Sequence, residues 1–89
     1  MSERAALRQA IVEWLDDNYL FGDAAKLITS DDVSFLENGI LDSLGFVRLV
    51  LMLEERHRIK IDRKHLTRKN FDSMNKIVAY VGERAGLAA

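Results

Sequence analysis

The chain contains no cysteine and no proline, and glycine occurs only five times. Without cysteine there can be no disulfide, no thiolate metal site and no cysteine nucleophile, so any thiol the protein uses must come from an attached group. Without proline, few positions forbid helix. No apolar run approaches the length of a membrane span, and the first residues are charged (Glu3, Arg4, Arg8, Glu13), which argues against a secretory signal. The expectation is a soluble, cytoplasmic protein that does not enter a membrane. Net charge is also nearly absent, at −1, but its distribution is uneven. Between Arg56 and Lys69 there are seven Lys or Arg and a single acid, Asp62, whereas the rest of the chain has six Lys or Arg against thirteen acids.

What is present is enough for one core and no more. Eighty-nine residues, 48% of them apolar and 30% charged, make a single domain over 1–89, with little room for a deep catalytic cleft. The segment from Ser2 to about Tyr19 reads as an amphipathic helix. Ser2 is placed to cap it, and Leu7, Ile11, Trp14 and Leu15 fall on one stripe. From Phe21 to Asp42 turn-forming residues dominate. This long first loop is expected to be pinned by Leu27, Ile28, Phe35, Leu36, Ile40 and Leu41, with a helical turn near Asp23 to Leu27.

Ser43 to His57 is the strongest helical pattern, and it has two apolar stripes. One comprises Phe46, Leu49, Val50, Leu53 and His57; the other comprises Leu44, Val47 and Leu51. Either the helix is buried nearly all round, or the second stripe stays exposed for a partner. Arg58 to Phe71 reads as extended chain around Ile59 and Ile61, followed by a helical turn at Arg63 to Thr67. Asp72 or Ser73 then caps a last helix carrying Met74, Ile77, Val78 and Val81, which Gly86 ends. The fold class is therefore all-α: a small bundle of three main helices, one short helical turn and a long first loop.

Asp42-Ser43-Leu44-Gly45 stands where the loop meets the strong helix. A serine there serves as a helix cap or as a point of phosphate attachment. The two uses are compatible, because a helix N-terminus stabilises an added phosphate through its dipole and free N–H groups. Gly45 adds little bulk beside the hydroxyl.

The run Ser34-Phe35-Leu36-Glu37-Asn38-Gly39-Ile40-Leu41-Asp42-Ser43-Leu44 resembles the loop and attachment site of acyl and peptidyl carrier proteins. Val47, Leu49-Val50, Leu53-Glu54-Glu55 and Ile61 continue the pattern, as does Asn70-Phe71-Asp72-Ser73. The resemblance implies the helical bundle and a phosphopantetheine arm on Ser43, flanked by Asp42 and Leu44. It implies that a phosphopantetheinyl transferase moves the arm from coenzyme A, and that an acyl or aminoacyl group rides on it as a thioester. A loading ligase or transferase and downstream biosynthetic enzymes would be the partners. Leu44, Val47 and Leu51 are expected to dock them, with Arg48, Glu54 and Glu55 as charged contacts. Arg48 and His57 depart from the fatty-acid synthesis carriers, which usually have an acid and an aromatic there. The chain looks more like free-standing carriers of specialised pathways, which bear aminoacyl or substituted malonyl-type units.

Other classes fit less well. The basic segment has no reading helix and no interleaved aromatics, so nucleic acid is not an expected partner; the segment reads as a solvated surface that balances the acidic remainder, or as one that steers an acidic partner enzyme. Two histidines without cysteine are too few for a convincing metal site. Trp14 reads as core, His57 as core edge, His65 as exposed, Asp31-Asp32 as turn or cap and Asp16-Asp17 as a solvated face. No nucleophile–base pair suggests an enzyme. A helical adaptor without prosthetic group is the alternative, and a monomer is the default.

Overall fold

A computed structural model describes residues 2–89. It begins with α1 (Glu3–Leu15), capped by the Ser2 hydroxyl accepting from the Ala5 N–H at 3.1 Å. The helix widens into a π-type turn over Asp16–Leu20, so the helical path ends close to the expected limit. Phe21, in the left-handed region at φ 49°, stops it. The first acid of Asp16-Asp17 is not simply solvated as expected. Its carboxylate accepts from the N–H groups of Gly22 (3.1 Å) and Ala24 (2.8 Å), closing the turn into α2 (Ala24–Leu27).

The loop from 28 to 42 has no regular structure but is held at both edges of the core. Ile28, Phe35, Ile40 and Leu41 are buried, whereas Leu27 and Leu36, expected as anchors, are 41% and 38% exposed. Asp31 is paired with Arg8 of α1 through two bonds of 2.8 and 2.9 Å, and Asp32 accepts from the Asn75 amide at 2.7 Å. The two acids thus tie the loop to the first and last helices.

Next comes α3 (Ser43–His57), then an extended stretch, a 3₁₀ turn at Arg63–His65, the one-turn α4 (Arg68–Phe71) and α5 (Met74–Ala85). No strand forms among the described residues; the alternation at Ile59 and Ile61 is extended chain hung on α3. Ser73, not Asp72, caps α5 by accepting from the Lys76 N–H, and Gly86 ends it at φ 68°. Leu7, Ile11 and Leu15 of α1, Leu49 and Leu53 of α3, and Met74, Ile77 and Val81 of α5 meet in one core with Phe35 and Ile40. Burying such side chains is the main source of stability in a domain of this size.

Three single residues differ from expectation. Trp14 is only partly buried and leans on Tyr19, ring centroids 5.4 Å apart, because the core stripe passes through Leu15. His65 is half-buried, with its Nδ1 2.7 Å from the Tyr80 hydroxyl. His57 stands at the core edge as expected. Burial, and secondarily the charge of Arg56, lowers its pKa from the usual 6.5, so the ring is neutral at pH 7.

Candidate attachment and docking site

Two adjacent residues, Asp42 and Ser43, are both good cap formers, and the fold chooses between them. Burial of Ile40 and Leu41 brings Asp42 to the helix start in extended conformation, and its carboxylate accepts from the Gly45 N–H at 2.7 Å. Asp42 is the cap. Ser43 is the first helical residue, is exposed, and is released from the capping duty one reading of the sequence assigned to it.

Gly45 also has a different reason from the expected one. A Cβ there would lie 2.7 Å from Leu41 Cδ2 and 3.2 Å from Asp42 Oδ1, so its smallness lets the helix start close against the loop. Leu41 is 4% exposed and has little room to yield. Gly45→Ala is therefore expected to destabilise the domain by about 1–2 kcal/mol, despite alanine's better helix propensity. Urea unfolding checks this, and an unchanged or raised midpoint contradicts it.

The two stripes of α3 separate cleanly. Leu49, Val50 and Leu53 are buried, and Phe46 packs partly buried against Phe35 with ring centroids 6.3 Å apart. Leu44, Val47 and Leu51 are 60%, 44% and 58% exposed. The alternative of a helix buried all round is thus excluded. Arg48 and Glu55 lie exposed on the same outward face. Glu54 is otherwise employed: its carboxylate accepts from the Ile61 N–H at 2.8 Å and fastens the extended stretch to α3.

Beside Ser43 lies a mainly apolar cleft of about 200 Å³ whose walls include Leu36, Phe46, Val47, Leu66 and Phe71, with Arg68 and Asp72 among its lining. Behind it is a polar hub that sequence reading missed. Asp72 is 4% exposed, yet its carboxylate accepts from the Ser34 hydroxyl (2.6 Å), the Leu36 N–H (2.9 Å) and Arg68 Nε and Nη2 (3.1 and 3.0 Å). Its backbone carbonyl accepts from the Phe35 N–H at 3.0 Å. Burial pushes the Asp72 carboxyl up, but the bonds from Ser34, Leu36 and Arg68 outweigh it, and the net result is a pKa below the usual 3.8. The hub joins the loop that delivers Ser43 to the far wall of the cleft.

A small three-helix domain that projects a serine from the start of its central helix, with an apolar stripe beside it, has the architecture of a carrier protein. No family model matches the chain. Comparison with individual proteins is decisive instead. The D-alanyl carrier protein of Leuconostoc mesenteroides is 36% identical over 80 residues, covering 90% of this chain and 97% of the relative. Those of Lactobacillus acidophilus and Lacticaseibacillus rhamnosus are each 32% identical, over 83% and 85% of this chain and 89% and 90% of the relatives. The chain belongs to the family of the D-alanyl carrier proteins, free-standing carriers that are not catalysts and that work through a covalent phosphopantetheine group.

The residues present fit such a group. An exposed serine at the first position of a fifteen-residue helix would offer a phosphodiester the positive end of the helix dipole. The adjacent cleft has the apolar walls a pantetheine chain can lie against.

Proposed function

We propose that Ser43 bears the phosphopantetheine arm, and that the protein presents an acyl or aminoacyl group on it to partner enzymes in a specialised biosynthetic pathway. The observation that carries this reading is the division of labour at the helix start: Asp42 caps, and Ser43 is left exposed at the mouth of an apolar cleft. When attached, the arm supplies a terminal thiol that holds the cargo as a thioester. The chain's own residues do the rest. The start of α3 stabilises the phosphate, and Leu44, Val47 and Leu51 offer an apolar face to each visiting enzyme, with Arg48 and Glu55 at its edge. Once a partner docks there, a flexible tether makes transfer effectively intramolecular.

The relatives' name supplies the first cargo to test, D-alanine. The partners are then a phosphopantetheinyl transferase and a D-alanine-activating ligase. On this reading the protein works as a monomer in the cytoplasm; no helix among the described residues is long and apolar enough to cross a membrane. The test is intact-protein mass spectrometry after incubation with coenzyme A, magnesium and a broad-specificity phosphopantetheinyl transferase. A gain of one phosphopantetheine supports the reading, and D-alanine with ATP and the ligase follows. A folded chain that several transferases leave unmodified is an adaptor instead.

The docking face has its own test. Val47→Asp places a charge on a side chain that is 44% exposed, so the thermal midpoint is expected to hold while ligase loading slows about tenfold, equivalent to about 1.4 kcal/mol. Equal loading rates for the two proteins would remove Val47 from the interface.

A further inference from the structure

Five cations have no role in the site described above. Arg56, Arg58, Lys60, Arg63 and Lys69 are exposed, and among the described residues none has a carboxylate within ion-pair distance. The other two cations of the segment are balanced: Lys64 by Asp62 at 3.6 Å, and Arg68 by Asp72 at 3.0 Å and Glu37 at 3.6 Å.

The fold lays this segment out in a definite direction. Near the C-terminal end of α3, the Ile61 N–H is bonded to Glu54. At the other end, Leu66, Thr67 and Arg68 share a cleft with Ser43, Phe46 and Val47 at the beginning of α3. The chain after Arg58 therefore returns along α3 from its end to Ser43. On the helix, Glu54 and Val47 lie on one flank of the outward stripe, a turn or two apart. Arg58, Lys60, Arg63 and Lys69 thus border one long side of the exposed Leu44–Val47–Leu51 face, whereas Arg56, two residues on from Glu54 in α3, stands on the other flank of the helix.

Like charges gathered along one edge repel one another, and an opposing anionic surface relieves that repulsion while steering encounter. The apolar residues of the segment do not make it a membrane anchor: Ile61 is buried, and Ile59 and Leu66 pack partly buried on the core. No Phe, Trp or Tyr lies between Arg56 and Lys69 to stack on bases, and α4 is only four residues long.

We infer that this edge is a docking rail for a protein partner whose complementary surface is rich in Asp and Glu, seated with its apolar centre on Leu44, Val47 and Leu51. The inference rests on the carrier reading, because the partner is then an enzyme that must reach Ser43. It implies an interface of the opposite polarity to one built around an acidic recognition helix.

The test uses the full chain, isotopically labelled, after the transferase step has been scored on wild type and on a K60E/R63E/K69E variant. The probe is a synthetic amphipathic helical peptide with a leucine stripe and a glutamate rim; its lysine-rimmed counterpart, phosphatidylglycerol vesicles and a single-stranded oligonucleotide are compared with it. Amides of residues 58–69 and of the outward face of α3 are expected to shift with the glutamate peptide. Affinity should fall at least about tenfold between about 20 and about 200 mM salt, as expected when the Debye length shortens, and fall comparably in the variant. Equal binding of the lysine peptide, or indifference to the charge reversal, overturns the rail. So does engagement of these residues by vesicles or oligonucleotide but not by peptide. A wild type that refuses the arm sinks the carrier reading, whereas an arm-bearing wild type that ignores the glutamate peptide sinks only the rail.

Discussion

Ser43→Ala is expected to abolish phosphopantetheine attachment completely while leaving the folded domain almost unchanged. The first half follows from chemistry: alanine has no hydroxyl to form the phosphodiester, and no cysteine exists anywhere in the chain to offer a thiol in place of the arm's. The second half follows from the helix start. If Ser43 were the cap, its loss would cost about 1 kcal/mol. The cap is Asp42, whose bond to the Gly45 N–H survives the substitution, and Ser43 is exposed. The change in stability should therefore stay within about 0.5 kcal/mol. Asp42→Ala should show the opposite pattern, with a hydroxyl still present and about 1 kcal/mol of stability lost. Intact mass and thermal unfolding of the three proteins separate the roles. A Ser43→Ala protein that still gains the group places the attachment elsewhere, and one that loses as much stability as Asp42→Ala returns the cap to Ser43.

That one-residue distinction marks where sequence reading stopped. The three main helices were legible because each repeats apolar residues at helical spacing between terminal signals: Ser2 at one start, the Asp72-Ser73 pair, of which the structure uses Ser73, at another, and Gly86 at the last end. The loop was legible as a motif and as a set of anchors, four of which are buried. Neighbouring cap formers were not separable, because which one sits at the helix start depends on how deeply Leu41 is drawn into the core. Nor was the outward stripe of α3. Two apolar stripes have equal periodicity, and only the packing of α1, α5 and the loop decides which is covered. Glu54 looked like its neighbour Glu55 until the returning chain brought the Ile61 N–H to it. His65 and Asp16 were misplaced for the same reason, since each owes its position to a partner in a neighbouring element or turn. The hub at Asp72 was the least legible feature: Ser34 is 38 residues away, and no periodicity announces a pairing over that distance.

Asp72 should also be the polar residue whose loss costs most. Replacing it with alanine leaves the Leu36 N–H and the Ser34 hydroxyl without their acceptor in a part-buried place. Unmet polar groups of that kind and a broken charge-assisted network cost about 2–4 kcal/mol, a large share of the roughly 5–15 kcal/mol that holds a domain together. A fall in thermal midpoint of about 10 °C or more is expected. Ser34→Ala should lose less, because the backbone and arginine bonds to Asp72 remain. The pH dependence has a definite sign. The Asp72 carboxyl titrates below its ordinary 3.8 in the folded protein, so its stabilising effect is fully present above that value and disappears as pH falls through the lower, folded one. The stability gap between wild type and Asp72→Asn should therefore be constant from neutral pH to about pH 5 and close progressively below about pH 4. Urea unfolding of both proteins across that range measures it, and a gap that persists at the acid end would remove the charge from the hub's contribution. The consequence reaches the site, because the same carboxylate joins the loop ending in Asp42 and Ser43 to the wall of the cleft formed by Arg68 and Phe71. Breaking it should release both sides at once: amides of residues 34–37 and 68–72 are expected to lose hydrogen-exchange protection together, ahead of those of α1 and α5.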